Sequence, residues 1–320
     1  MSEDEINELI FKEFVKNGYA KIDKGNGWRS WDVAQRKFLY LTDEQARAFL
    51  ELKKMPRYKK EIAEREANLI KANAKKIKES LGNEPFNLID IYCSDGKKAC
   101  EFIKAIGKNN KIRYCPVNVN SYLVDLAVSN IKNCKHDNIV EYNPIISDGD
   151  GRTLRNLESD LKNGEFKRNV ILILGTVLGS YQINEYLFEL SKDMSKDDVL
   201  IIGNGIRAGK RLVDLKKYKH GIFNKWFIQL IKGLGLSEED VEYNVRFGNS
   251  RIEMFYRINK NKTIKRFGRT IDFSSGDEIL VAVLYKYYEE EFDKFCKMYF
   301  SDVFLATDED KGYALVICRK

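Results

Sequence analysis

Three loops in the first two thirds of the chain gather glycine with hydrogen-bonding and charged side chains. Tyr92-Cys93-Ser94-Asp95-Gly96-Lys97-Lys98 follows the apolar run Phe86–Ile91 and opens a helical pattern. The free N–H groups at such a helix start can hold a carboxylate or a phosphate. Gly96 permits a tight turn, and Lys97 and Lys98 offset the charge of Asp95. Tyr92 and Ser94 stand where a loop that approaches a ligand closely carries glycine. A plain strand-to-helix turn has the same outline, so both readings stay open. The second loop, Ser147-Asp148-Gly149-Asp150-Gly151, holds two carboxylates that can reach a ribose or an adenine, or simply turn the chain. In the third, Gly175, Thr176, Gly179 and Ser180 follow an apolar run, and glycines at a buried strand end invite close approach of a ligand or of other backbone. Asn118 ends another apolar run, where dinucleotide-binding sheets place an acid for ribose hydroxyls. An amide can donate and accept there, without the charge-assisted strength of a carboxylate.

Other chemistries find less support. The two histidines, His136 and His220, have no catalytic-looking context, so neither a Ser–His–Asp arrangement nor a histidine-rich metal centre is expected. The six cysteines form no C-x-x-C pair and read as reduced, mostly buried and without metal. The formal net charge is +7, with lysine interleaved with glutamate, as in KKEIAEREANLIKANAKKIKES. That pattern is a solvated helix face; a nucleic-acid surface would gather basic residues with stacking aromatics. No run approaches the ~18 apolar residues of a membrane span. The start MSEDEINELI is acidic, unlike a secretory signal, so a cytoplasmic protein without a membrane partner is expected.

The elements that must position these loops alternate regularly. Short apolar strands are predicted at Leu88–Tyr92, Ile112–Val117, Ile139–Tyr142, Val170–Leu174 and Val199–Ile202. Helices are predicted between them at Lys97–Ile106, Ser121–Lys132, Arg152–Lys162 and Ile183–Lys192. Repeated βα units imply an α/β, doubly wound parallel sheet. Before it, Ala63, Ala67, Ile70, Ala74, Ile77 and Leu81 mark one helix that stops at Gly82. After Ile202 the rhythm breaks. Arg207–Lys217 and Phe223–Lys232 read as helices, VEYNVRFGNSRIEMFYRI as a hairpin turning at Gly248-Asn249-Ser250, and about Gly276–Met298 as another helix. Tyr299–Ala306 and Tyr313–Arg319 read as an antiparallel hairpin that closes the sheet. Seven strands with this closure form the Rossmann-like pattern of S-adenosylmethionine methyltransferases. The expected division places that domain at residues 61–202 and 275–320. A smaller α+β lobe, built from the N-terminus and an insertion, takes 1–60 and 203–274.

The order of motifs resembles the histidine-specific Nα-methyltransferases of ergothioneine synthesis. The resemblance covers most of the chain from about Tyr40 onward. It rests on MPRYKKEIAEREANLI, LGTVLGSY, SRIEMFYRI and FSSGDEILVAVLYKY. It implies S-adenosylmethionine as cofactor, with contacts from Tyr58, Lys98, Asn118 and one of Asp148 and Asp150, beside the loop positions Tyr92, Ser94, Gly96, Gly175 and Thr176. It also implies a substrate pocket that includes Met254. The departures are specific. Tyr92 and Ser94 replace loop glycines, and Asn118 replaces a ribose-binding aspartate. Ser180 replaces a substrate-binding asparagine, and Ala282 and Leu284 replace the glutamate and serine that grip an imidazole. A site stripped of its hydrogen-bonding groups loses discrimination for a polar ring. The expectation is a methyltransferase for an amine of a small molecule or peptide other than free histidine. The alternative is a degenerate member that binds or regulates. Tyr40, Tyr58, Tyr256 and Asp272 are candidates only because they could face the cleft; each reads first as structural, so no catalytic base is assigned.

Overall fold

The computed structural model describes residues 3–21, 27–149, 159–208 and 213–320. The chain divides into two units, Met1–Leu52 with Leu212–Tyr285, and Lys53–Arg211 with Lys286–Lys320. No helix among the described residues is long and apolar enough to cross a membrane.

The second unit carries the alternating pattern. Its strands are β1 (Phe86–Ile91), β2 (Ile112–Asn118), β3 (Ile139–Tyr142), β4 (Asn169–Ile173), β5 (Val199–Gly205), β6 (Asp302–Thr307) and β7 (Tyr313–Arg319). Their order is β6-β7-β5-β4-β1-β2-β3, and the two-residue strand Ile145–Ile146 also pairs with β2. Pairs from β3 to β5 are parallel, while β7 runs antiparallel to both β5 and β6. The order reverses between β1 and β4, where doubly wound sheets open their ligand crevice at the carboxyl ends of the strands. The described helices are α1 (Arg65–Ala72), α2 (Ala74–Leu81), α3 (Lys97–Ile106), α4 (Ser121–Asn133), α5 (Ile183–Asp193) and α6 (Glu289–Tyr299). Leu69, Ile70, Ile77 and Leu81 join Phe102, Ile103 and the sheet residues Leu88, Val170 and Ile201 in one buried core. Each fully buried aliphatic side chain there contributes roughly 1.5–3 kcal/mol.

The predicted single helix ending at Gly82 is in fact jointed. A π-helical stretch, Lys59–Glu64, precedes α1, and Asn73 separates α1 from α2. Asn73 leaves helical geometry (φ −104°, ψ 14°) as its side-chain amide donates to the Leu69 carbonyl, a local bond that competes with the helix ladder.

The first unit holds a five-stranded sheet in the order Tyr19–Lys21, Arg29–Asp32, Glu278–Tyr285, Arg251–Ile258, Val241–Gly248, and a separate hairpin, Lys262–Arg266 with Arg269–Phe273. The expected hairpin turn is present, with Asn249 and Ser250 both at positive φ (51° and 57°). The helix predicted over Gly276–Met298 is not formed as one element. Glu278–Tyr285 is a strand paired with Arg251–Ile258, and helix begins only at Glu289. Ile279, Val281 and Val283 are β-branched and find a partner strand, which overrides the helical spacing. The predicted helix Arg152–Lys162 lies largely outside the described residues. Of Arg207–Lys217, Arg207 bridges to Tyr288 and Leu215–Lys219 forms a 3-10 turn.

Candidate active site

The site is built within the parallel unit, where β1, β2 and β4 end. Leaving β1, Tyr92 and Ser94 both take φ 54° and Gly96 takes φ 69°. These alternating left-handed residues give the backbone of a glycine loop, although only one is glycine. Each non-glycine residue held there costs roughly 1–2 kcal/mol. Gly96 opens α3, and a Cβ at this position would lie 2.9 Å from the backbone of Ala127 in α4, so close helix packing requires glycine. Ser94 and Asp95 are held from one side: Lys53 donates to Ser94 Oγ (2.9 Å) and pairs with Asp95. Asn130 donates to the Asp95 carbonyl from α4 (2.8 Å).

The Tyr92 ring spans the strand ends and is only 6% exposed. Its edge meets Gly149, where a Cβ would sit 3.1 Å from ring atom Cε2. Its hydroxyl accepts a hydrogen bond from the Tyr181 hydroxyl (2.9 Å), and Tyr186 donates to the Gly149 carbonyl (3.1 Å). The rings of Tyr181 and Tyr186 lie 4.4 Å apart. Three tyrosines thus tie together the three loops singled out in the sequence.

Beside them is a buried ion pair. Lys98 Nζ lies 2.7 Å from Glu66 Oε1 of α1. The other Glu66 oxygen accepts from Gly175 N (2.7 Å) and from the Tyr313 hydroxyl (2.5 Å). A side chain at Gly175 would strike Lys98, and one at Gly203 would strike Glu66, so two glycines make room for the pair. Lys98 Nζ and Glu66 Oε1 meet at ion-pair distance without a directed hydrogen bond. The Tyr58 ring centroid lies 6.0 Å from Lys98 Nζ. Burial first, then the Glu66 charge, pushes the Tyr313 phenol far up. Asp90, inside β1, is also buried and accepts from the Tyr114 hydroxyl (2.8 Å). Burial lifts its carboxyl to about 7, against the opposing pull of Tyr114, Lys53 and Lys98.

The remaining sequence candidates divide. Asn118 lies at the expected strand end but is 1% exposed, and its side-chain oxygen accepts from Asn120 N (3.1 Å), which in turn caps α4. Asp148 is half-buried beside Gly149, and Asp150 lies outside the described residues. Thr176 has φ 66° and donates its N–H to the Gly203 carbonyl (3.1 Å); Ser180 ends the turn Leu178–Ser180. Tyr40, Met254, Ala282 and Leu284 belong to the other unit. Tyr40 is a core residue there, packed on Phe49 and Trp226, with Arg36 donating to its hydroxyl (3.1 Å). Met254 pairs with Ala282, and Ile252 with Leu284, across neighbouring strands. Tyr256 is buried and donates to Asn224 Oδ1 (2.7 Å), with burial pushing its phenol far up. Asp272 sits on the exposed hairpin, held by Thr263 (2.6 Å).

Sequence reasoning passed over Lys53, Glu66, Asp90 and Tyr181. Asp90 carried a signal, a charge inside the otherwise apolar run FNLIDI. Glu66 carried a weaker one, four residues before Ile70 on the buried helix face. One expectation is overturned: Cys100 and Cys134 are joined as a disulfide, while Cys93, Cys115, Cys296 and Cys318 are free and buried. The 34-residue separation hid the pair, since α3 and α4 bring it together only after folding.

A family profile described as histidine-specific methyltransferase, SAM-dependent, matches residues 33–320. The chain belongs to this family. Among curated proteins, none matches the sequence. Among solved structures, the chain is similar to a protein of Pyrococcus horikoshii (10% identity, TM-score 0.44, covering 87% of this chain and 99% of that one). It is similar also to magnesium protoporphyrin IX methyltransferase of Synechocystis, solved with bound SAH (10%, 0.44, 88% and 96%). A third is an S-adenosylmethionine-dependent methyltransferase of Clostridium acetobutylicum (11%, 0.38, 78% and 89%).

S-adenosylmethionine is the cofactor of this methyltransferase family, and two observations fit it to these residues. The Tyr92–Gly96 backbone already follows glycine-loop geometry, which directs the start of α3 toward the crevice. The buried Lys98 ammonium keeps donor capacity beyond its ion pair, suited to a carboxylate or hydroxyl. The Tyr92 ring lies across the same strand ends, against Gly149 and hydrogen-bonded to Tyr181.

Proposed function

We propose that this family member transfers a methyl group to an amine of a small molecule or peptide other than free histidine, from a cofactor site that Tyr92 gates. The observation that carries the reading is the left-handed loop at Tyr92, Ser94 and Gly96 beside the buried Lys98–Glu66 pair. Bound S-adenosylmethionine would supply an already activated methyl group. The chain's own task is then to hold two reactants in line and exclude water, and little acid–base chemistry is required. Tyr58, Lys98 and the loop N–H groups would hold the cofactor. Gly175 keeps the space that Lys98 occupies. Against histidine stand Ala282 and Leu284, apolar where the resemblance implies the glutamate and serine that grip an imidazole.

A second reading, a degenerate member that binds or regulates, is favoured by the Tyr92–Tyr181 hydrogen bond and by the inward-turned Asn118. Calorimetry and thermal shift with S-adenosylhomocysteine decide between them, on the native chain and on Tyr92→Gly. The replacement suits φ 54° and removes the ring. The proposal expects a concentration-dependent rise in melting temperature for both, with Tyr92→Gly binding more tightly. No shift for either protein at millimolar ligand would establish the degenerate reading. Micromolar binding of free histidine would overturn the substrate assignment alone.

A further inference from the structure

Cys100, Cys134 and His136 place three donor atoms within 4.8 Å of one another. Cys100 lies in the first turn of α3, Cys134 ends α4, and His136 follows two residues later before β3. Cys100 Sγ and His136 Nε2 are 3.4 Å apart. In a tetrahedral site with zinc–sulfur bonds of ≈ 2.3 Å and zinc–nitrogen bonds of ≈ 2.0–2.1 Å, neighbouring sulfur and nitrogen ligands sit about 3.5 Å apart. The imidazole therefore already stands at ligand spacing from one sulfur. The two Cα atoms of the cysteines are 6.7 Å apart, at the long end of the span a disulfide bridges. All three residues are half-buried, so an ion and an outside fourth ligand can reach them.

We propose that the reduced chain binds one thiophilic divalent ion, of the zinc class, through Cys100, Cys134 and His136, and that the Cys100–Cys134 disulfide is the alternative, metal-free state of this site. The two states exclude each other, because the disulfide commits both sulfurs. Conversion requires a thiol reductant, of the dithiol class. It passes two electrons and two protons to the disulfide, yielding two cysteine thiols, and is itself oxidised to a disulfide. Metal binding then releases both thiol protons and takes the imidazole in its neutral form. Three protein ligands leave a fourth position for water. The proposal does not depend on the methyl transfer, although Cys100 shares the first turn of α3 with Lys98.

The full chain, reduced and freed of reductant, is titrated with cobalt(II) and, in competition with a chromophoric chelator, with zinc(II). One ion per chain is expected, with a near-ultraviolet thiolate-to-cobalt charge-transfer band, and neither in the oxidised chain. The C100S/C134S double variant should lose the band while its four buried thiols persist. His136→Gln, which leaves the disulfide possible, should weaken zinc binding by at least about tenfold. Circular dichroism establishes that each variant is folded, and Cys134→Ser alone serves if the double variant is not. A reduced native chain that binds no metal overturns the proposal. So does a cobalt band that survives loss of the cysteines, or zinc affinity indifferent to His136→Gln, which would leave an ordinary redox-active disulfide.

Discussion

Glu66 shows how much one side chain can decide. It is 1% exposed, pairs with Lys98 and accepts from Gly175 and Tyr313, so it links α1, α3, the end of β4 and β7. Removing one partner of a buried pair strands the other charge, at a cost of about 3–5 kcal/mol. Glu66→Gln should therefore lower the urea midpoint sharply, and the double variant Glu66→Gln/Lys98→Met should recover much of the loss. A double-mutant cycle in urea checks this, and additive losses would refute the pairing. Asp90 makes a prediction of opposite character. Its carboxyl titrates near 7 when folded and in the ordinary carboxylate range when unfolded. Between those values the folded chain holds a proton that the unfolded chain has lost. Stability should therefore fall as pH rises through this window, by up to ~1.4 kcal/mol per pH unit. Asp90→Asn keeps an acceptor for Tyr114, so its urea stability should lose this slope between pH 4 and 7. A slope unchanged by the substitution would assign the effect elsewhere. Neither residue was read from the sequence as functional. A buried glutamate in a lysine-rich helix looks like one more solvated charge until the helix is docked.

At the level of elements, the loop between β1 and α3 combines two demands. Its backbone is left-handed at Tyr92, Ser94 and Gly96, and Gly96 lets α4 pack against the start of α3. Gly96→Ala should cost about 1–3 kcal/mol by overpacking, beyond the backbone strain, and thermal melts measure it. A loss below half a kcal/mol would mean that the helices part easily. In the other unit, Ser250 sits at φ 57° in the two-residue turn that joins Val241–Gly248 to Arg251–Ile258. Ser250→Gly relieves that conformation at some cost in chain entropy. Asn-Gly is the preferred pair for such a turn, so a gain of up to about 1 kcal/mol is expected from equilibrium unfolding. The hairpin was legible because alternation and turn residues are local. The neighbouring strand Glu278–Tyr285 was not, because its apolar run suits either period and only its pairing with Arg251–Ile258 chose the strand.

Over the whole molecule, the chain enters the parallel unit at Lys53, leaves it at Arg211 and returns at Lys286. The sequence by itself determined the βα alternation, the closing hairpin and the family, since each rests on short-range pattern and residue order. It also located the three loops that follow β1, β3 and β4, because strand ends follow directly from apolar runs. Only the tertiary structure decided what fills the ground between those loops. Tyr92 reaches across to Gly149 and Tyr181, Glu66 is bonded to Lys98, and Cys100 is joined to Cys134. These contacts bring together residues 32 to 89 positions apart. Their partners are set by how helices pack on the sheet and by side-chain rotamers, and neither composition nor periodicity encodes those locally.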